Sequence, residues 1–213
     1  MNESDVYWER CWKEEDPTEL CKYQDMYYQM KSREIEIFKE HHVINVCDAA
    51  CGFGAYTLAF ASHGFQVHSF DISETAVKIT ANGLQKYGLS AANVKLANIL
   101  DTGYADETFD GVIAHAVLDH LLVKDAQKAL NELLRITVPG GLIFLSFDNA
   151  EEDDFTEKHL TLKDGTMQYT DGARKGMLFH PYDQEQIRNL IKNNHVIHEE
   201  YHSPREKKVI LKK

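Results

Sequence analysis

The densest chemistry in this 213-residue chain lies in Val46-Cys47-Asp48-Ala49-Ala50-Cys51-Gly52-Phe53-Gly54. An apolar strand ends in an acid, turns through Gly-x-Gly and opens a helix expected over 55–61. Such a turn brings bare backbone against a nucleotide-like ligand. Thr57 occupies the place of a dinucleotide fingerprint's third glycine, and Asp48 precedes the turn, where it would repel a pyrophosphate. The pattern suits an uncharged or cationic adenosine derivative. Three further strand ends carry polar groups. Asp71 closes Phe70-Asp71-Ile72-Ser73, where a carboxylate can accept both hydroxyl protons of a ribose. Asn98 and Ile99 follow the next strand and offer an amide and an apolar wall to a base. His115-Ala116-Val117-Leu118-Asp119-His120 follows the fourth, nearest to any reacting group.

Positioning these residues requires alternating strands and helices, the pattern of a parallel sheet covered on both faces. Strands are expected over 43–47, 66–70, 93–97, 109–114 and 141–147, and a last pair over 196–201 and 207–211. That last pair has no room for a helix between its members and must be antiparallel. Helices are expected over 73–87, 124–137 and 183–192, the second stopped by Pro139-Gly140-Gly141. The fold class is therefore α/β: a doubly wound, seven-stranded, mostly parallel sheet, Rossmann-like, with an antiparallel last strand. The chain divides into a helical N-terminal cap (1–40), a ligand-binding core (41–147), an insertion (148–181) and a C-terminal helix with a strand pair (182–213), all one domain. The insertion is too long for a simple connection and is expected to be a substrate loop.

Bulk properties narrow the partners. A formal net charge of -11 argues against nucleic acid. No apolar run approaches the roughly 18 residues of a membrane span. The polar start shows no secretory signal, and the four cysteines form no paired motif, so a cytoplasmic setting is expected. Oligomeric state is not readable.

In order and spacing these motifs resemble those of the class I S-adenosylmethionine-dependent methyltransferases of small-molecule type. Asp48 to Gly54 matches the family's acidic-x-Gly-x-Gly-x-Gly motif with Ala50 in place of the first glycine, and Asp71 matches its ribose acid. Phe109 to Ala114 resembles its fourth strand, and the run from Leu133 to Gly141 its helix-turn into strand five. The resemblance implies S-adenosylmethionine as cofactor and S-adenosylhomocysteine as product. It assigns Asp48 to the amino end of the methionine part, with the turn residues Ala49, Ala50, Cys51, Gly52 and Gly54 against the cofactor. Asp71 would bind the ribose, Ile72 and Ile99 would sandwich the adenine, and Asn98 would lie near its edge. With alanine at 50, the turn is expected to hold that residue at negative φ. Tyr56, and Tyr7, Trp12, Tyr27 or Tyr28 from the cap, are candidates to face the sulfonium. His115 and His120 are the candidate catalytic residues, His115 also a cofactor contact, with His180 and Tyr182 as further candidate bases.

The expected activity is in-line methyl transfer to a small-molecule acceptor. Other readings are a nucleotide-binding oxidoreductase, a non-catalytic S-adenosylmethionine-binding module and a magnesium-dependent catechol-type O-methyltransferase. Asp148-Asn149 resembles the Asp-Asn pair of that last group, and Leu118-Asp119-His120 another piece of its site. Counting strand four from Asp110, however, puts His115 at the position of the group's first metal acid, so no metal site is expected.

Overall fold

The computed structural model describes residues 2–213. Three helices precede the sheet: α1 (Glu3–Glu14), α2 (Pro17–Tyr28) and α3 (Arg33–Glu40). Their starts are written in the sequence. Asn2 forms a reciprocal capping box with Asp5, Asp16 caps the helix that Pro17 opens, and the Ser32 hydroxyl accepts from Ile35 N–H.

The sheet follows with β1 (Asn45–Ala49), β2 (Gln66–Asp71), β3 (Val94–Leu96), β4 (Phe109–Ala114) and β5 (Thr137–Asp148), joined by α4 (Ala55–Ser62), α5 (Glu74–Lys86) and α6 (Val123–Ile136). An insertion carries α7 (Glu152–Thr156) and a small antiparallel sheet of β6 (His159–Thr161), β7 (Met167–Tyr169) and β8 (Leu178–Phe179). The chain ends in α8 (Gln184–Ile191), β9 (His195–Glu200) and β10 (Glu206–Lys212). The main sheet has seven strands in the order β3-β2-β1-β4-β5-β10-β9. β10 runs antiparallel to both neighbours and the remaining pairs are parallel.

Alternation along the strands divides the core between the two faces. Cys47, Val112, Ala114, Leu145 and Phe147 pack against α6 and α8 through Leu130, Leu133 and Ile187. Val46, Ile113, Phe144 and Ile210 pack on the other side with Phe38 of α3 and Phe60 of α4. Gly111 in β4 is required there, since a Cβ would stand 2.6 Å from the Phe38 ring. A third cluster joins Tyr7 of α1 to Met167, Tyr169, Met177 and Phe179 of the insertion. Arg10 of α1 reinforces this contact by donating to the Ala173 and Lys175 carbonyls. Cap and insertion therefore lie against each other.

Two strand starts differ from expectation by two residues or more. β1 begins later because Val43 N–H is held by the Phe38 carbonyl and His42 takes a left-handed φ of 57°, finishing the helix exit before the strand starts. β5 begins earlier, at Thr137, so Pro139-Gly140-Gly141 lies within the strand. The β4–β5 register slips between Phe109 and Gly111, and proline is tolerated at such an irregularity.

Candidate active site

The turn between β1 and α4 is built from left-handed residues. Ala50 has φ 59°, Gly52 φ 54° and Gly54 φ 84°. The expected negative φ at Ala50 is thus not what forms. The turn demands a left-handed residue at this position, and alanine accepts about 1–2 kcal/mol of strain to supply it. Cys51 N–H donates to the Phe70 carbonyl, tying the turn to the end of β2. Gly52 cannot carry a side chain, because a Cβ would lie 2.8 Å from the Trp12 indole of α1.

Both acids at the strand ends are buried and partly satisfied by the protein. Asp71 accepts Gly52 N–H and Ser73 N–H, each at 2.9 Å. Burial raises its pKa while those two bonds oppose the rise. Asp48 accepts the Thr57 hydroxyl at 2.6 Å, and that hydroxyl also pairs with Ser69 Oγ at 2.8 Å. Thr57 therefore clamps Asp48, which explains its presence where a dinucleotide site would have glycine. Burial pushes Asp48 up to about 6.

The two acids open onto a cavity of about 580 Å³ beyond the carboxyl ends of β1, β2, β4 and β5. At the Asp71 end its wall contains Ile72, Asn98 and Ile99; the turn supplies Ala50, Cys51 and Gly52; Tyr56 and His115 stand opposite, with His120 and Asp148 farther along. Asn98 keeps its oxygen on Leu100 N–H and has only its amide NH₂ to offer a ligand. Two expected cofactor contacts fall outside the lining. Ala49 is fully buried in the sheet core, and Gly54 is the N-cap of α4, packed against Thr80.

The aromatic candidates separate in the same way. Trp12 and Tyr27 line the cavity. Tyr7 packs into the cap–insertion cluster, and Tyr28 stacks on Tyr87 at 4.0 Å. Trp8 and Phe53, not singled out from sequence, also line it. For Trp8 the signal was available: it precedes Trp12 by one helical turn and lies on the same face. His180 and Tyr182 are buried away from the cavity, against each other.

His115 packs on the Tyr56 ring, with centroids 4.5 Å apart, and its Nε2 is 3.1 Å from Glu206 Oε2 of β10. Burial alone would lower the imidazole pKa, but the adjacent Glu206 carboxylate reverses this and raises it. Burial likewise opposes ionisation of Glu206, yet the His115 partner holds it down at about 2. Lys208 continues the chain of charge to Glu206 and Glu34, at 3.3 Å and 2.8 Å. His120 bonds through Nδ1 to the Leu178 carbonyl at 2.9 Å and meets Trp8 edge-on.

The lining holds carboxylates and two imidazoles but neither lysine nor arginine among the described residues. A pyrophosphate would find no countercharge there, whereas a ligand with a sulfonium and an ammonium would find acids at both ends. A sheet of this order with a reversed next-to-edge strand, an acid–glycine turn after β1 and an acid closing β2 define the Rossmann-like, class I methyltransferase architecture. Residues 47–145 match the methyltransferase-domain family model, and the fold around them is that of class I methyltransferases. The fold recurs in a protein from Pyrococcus horikoshii OT3 (TM-score 0.71, 19% identity, 84% of this chain and 86% of that one). It recurs in an S-adenosylmethionine-dependent methyltransferase from Methanosarcina mazei (TM-score 0.71, 17% identity, 86% and 98%). A third likeness is the 1,6-didemethyltoxoflavin-N1-methyltransferase of Burkholderia thailandensis, solved with 1,6-didemethyltoxoflavin and S-adenosylhomocysteine (TM-score 0.64, 17% identity, 85% and 77%). At these identities the likeness is one of fold. No curated protein matches the chain in sequence.

Proposed function

We propose that this chain transfers the methyl group of S-adenosylmethionine to a small-molecule acceptor, with cap, core and insertion acting as one catalytic domain. The observation that carries the reading is the shape of the cavity. It runs from Asp71 and Ile99, suited to a nucleoside, to His115, His120 and Asp148, and α1 and the insertion wall its far side. A cavity of about 580 Å³ suits a nucleoside-bearing cofactor beside a second small molecule. The net charge of -11 disfavours nucleic acid as acceptor. Among the described residues no helix is long and apolar enough to cross a membrane, and four free cysteines fit a reducing cytoplasm.

When bound, the cofactor supplies an electrophilic methyl carbon on a positively charged sulfur. Asp71 would then accept from the ribose hydroxyls, its carboxylate held in place by Gly52 and Ser73 N–H. Asp48 would accept from the ammonium of the methionine portion, and Ile72 and Ile99, which line the same cavity, would flank the base. Trp8, Trp12 and Tyr27 exclude water and offer ring faces to the cation. His115 sets Nε2 3.1 Å from Glu206 Oε2, and Nδ1 would be the atom that removes a proton from the acceptor. The fold-level neighbour from Burkholderia thailandensis, whose acceptor is a small heterocycle, supports this class of acceptor by analogy.

The test is transfer of isotope-labelled methyl from S-adenosylmethionine in a cell extract, resolved by mass into small molecules, protein and nucleic acid. Label confined to small molecules, and reduced at least tenfold by His115→Gln, is the expected result. Label found only on protein or nucleic acid would refute the proposal.

A further inference from the structure

We propose that Asp119, His120 and Asp148 form a binding site for a first-row divalent cation in the wall of the cavity. This goes beyond the methyl-transfer reading and does not depend on it. The 3-10 turn Leu118–His120 follows β4 and brings one ligand atom from each of two residues to the end of β5, where Asp148 waits. The three atoms, one per residue, all lie within 4.8 Å of one another.

The hydrogen-bond accounting shows that each group has an unused lone pair. Asp119 is fully buried; Oδ2 accepts Asp148 N–H at 2.9 Å, but Oδ1 has no donor at all. A buried carboxylate oxygen without a partner is costly, and such orphans point to a missing ligand. His120 directs Nδ1 at the Leu178 carbonyl, so this nitrogen carries the proton and Nε2 presents its lone pair. Metal-binding histidines are oriented in this way. Asp148 gives its N–H to Asp119, and among the described residues nothing donates to its carboxylate.

Protein cations do not fill the gap. Neither carboxylate forms an ion pair among the described residues, and the neighbouring Lys207 ammonium is bonded to Asn149 Oδ1 at 2.7 Å. That bond also takes the Asn149 oxygen out of the donor set. His115 is turned to Glu206, so the constellation differs from the acid–acid–amide arrangement weighed from the sequence. One imidazole with two carboxylates suits manganese, iron or zinc better than magnesium. Three protein ligands leave coordination positions open. His120 and Asp148 face both the main cavity and a smaller one of about 420 Å³, from either of which an acceptor or water can reach the ion.

The competing arrangement is a proton shared between Asp119 and Asp148. The two are separated by titrating Mn²⁺ into the chelator-treated full-length protein, following free Mn²⁺ by electron paramagnetic resonance. The expected result is about one equivalent bound saturably below millimolar concentration, weakened about 10- to 100-fold by His120→Gln and by Asp148→Asn. Asp119→Asn keeps an acceptor for Asp148 N–H and removes the charge, and it should weaken binding as much. Circular dichroism confirms that each variant is folded, and binding of S-adenosylhomocysteine, measured separately, reports on the methyl-transfer reading. Absence of saturable Mn²⁺ binding up to 1 mM, or equal binding by the folded variants, would overturn the metal site and leave the shared proton.

Discussion

Asp71→Asn separates what the carboxylate does for the fold from what it does for the cofactor. In the native protein its two oxygens accept Gly52 N–H and Ser73 N–H at 2.9 Å, and the residue is 5% exposed. An asparagine has one acceptor oxygen, so one of these N–H groups would face an NH₂ and lose its partner. Leaving a buried donor unsatisfied costs about 1–3 kcal/mol, so urea unfolding should show that loss. Domains of this kind have about 5–15 kcal/mol in total, so the variant should still fold. Ligand binding should fall separately. Hydrogen bonds to a charged acceptor contribute about 1.5–3 kcal/mol, which corresponds to roughly 10- to 150-fold in Kd for S-adenosylhomocysteine by calorimetry. Adenine alone, which has no ribose, should bind both forms within about twofold. If stability falls as stated but S-adenosylhomocysteine affinity stays within twofold, Asp71 only braces the turn, and the ribose assignment is wrong.

Gly52→Ala must hold a side chain at φ 54° and place Cβ 2.8 Å from Trp12, so it should cost about 1–3 kcal/mol and displace the indole. The chain has two tryptophans, both lining the cavity, so a changed emission spectrum reports the displacement; unchanged emission and Tm would contradict it. Glu206→Gln removes the group that raises His115. The pair's contribution to stability is complete between the unfolded pKa of Glu, about 4.3, and that of His, about 6.5. It is lost as pH rises through the folded His115 pKa, or falls towards the Glu206 value of about 2. In the variant the His115 titration followed by NMR, and the acidic limb of the rate profile, should both move to lower pH; an unmoved limb would remove His115 as the base. Asp48, raised to about 6 by burial, makes the unliganded fold lose stability as pH rises from about 4 to about 6. Binding of an ammonium-bearing ligand should therefore weaken up to tenfold per pH unit below about 6, and Asp48→Asn should abolish that slope.

What the sequence disclosed was set by how local each feature is. The Asp48-to-Gly54 turn, Asp71 after β2 and the strand–helix alternation could be read because a strand end, a turn and a helix start are neighbours along the chain. The conformation of Ala50 could not, because closure of the turn, not the preference of alanine, decides its φ. Nor could Glu206, which reaches His115 only because β10 inserts between β5 and β9. The same holds for Asp119. Counted along β4 it misses the register of a metal acid, yet the 3-10 turn brings it back to Asp148. His180 and Tyr182 are plausible bases by type, but both are buried, Tyr182 against Phe147 of the core, and type alone says nothing about access.

The cavity's charge connects these features. Asp48, Asp71 and Asp148 line it without a lysine or arginine, although burying carboxylates so close together opposes both ionisation and folding. The acids are therefore best understood as half of an interaction whose other half arrives with the ligand. In the proposed reading that half is an ammonium at Asp48, a sulfonium over the aromatic walls and the proposed metal ion at Asp119–Asp148. His115 is the exception, since its countercharge is built in through Glu206; as the proposed base it would need a partner that stays when the ligand leaves. On this proposal, the groups that would bind are left electrostatically incomplete, and the group that would react is completed in advance.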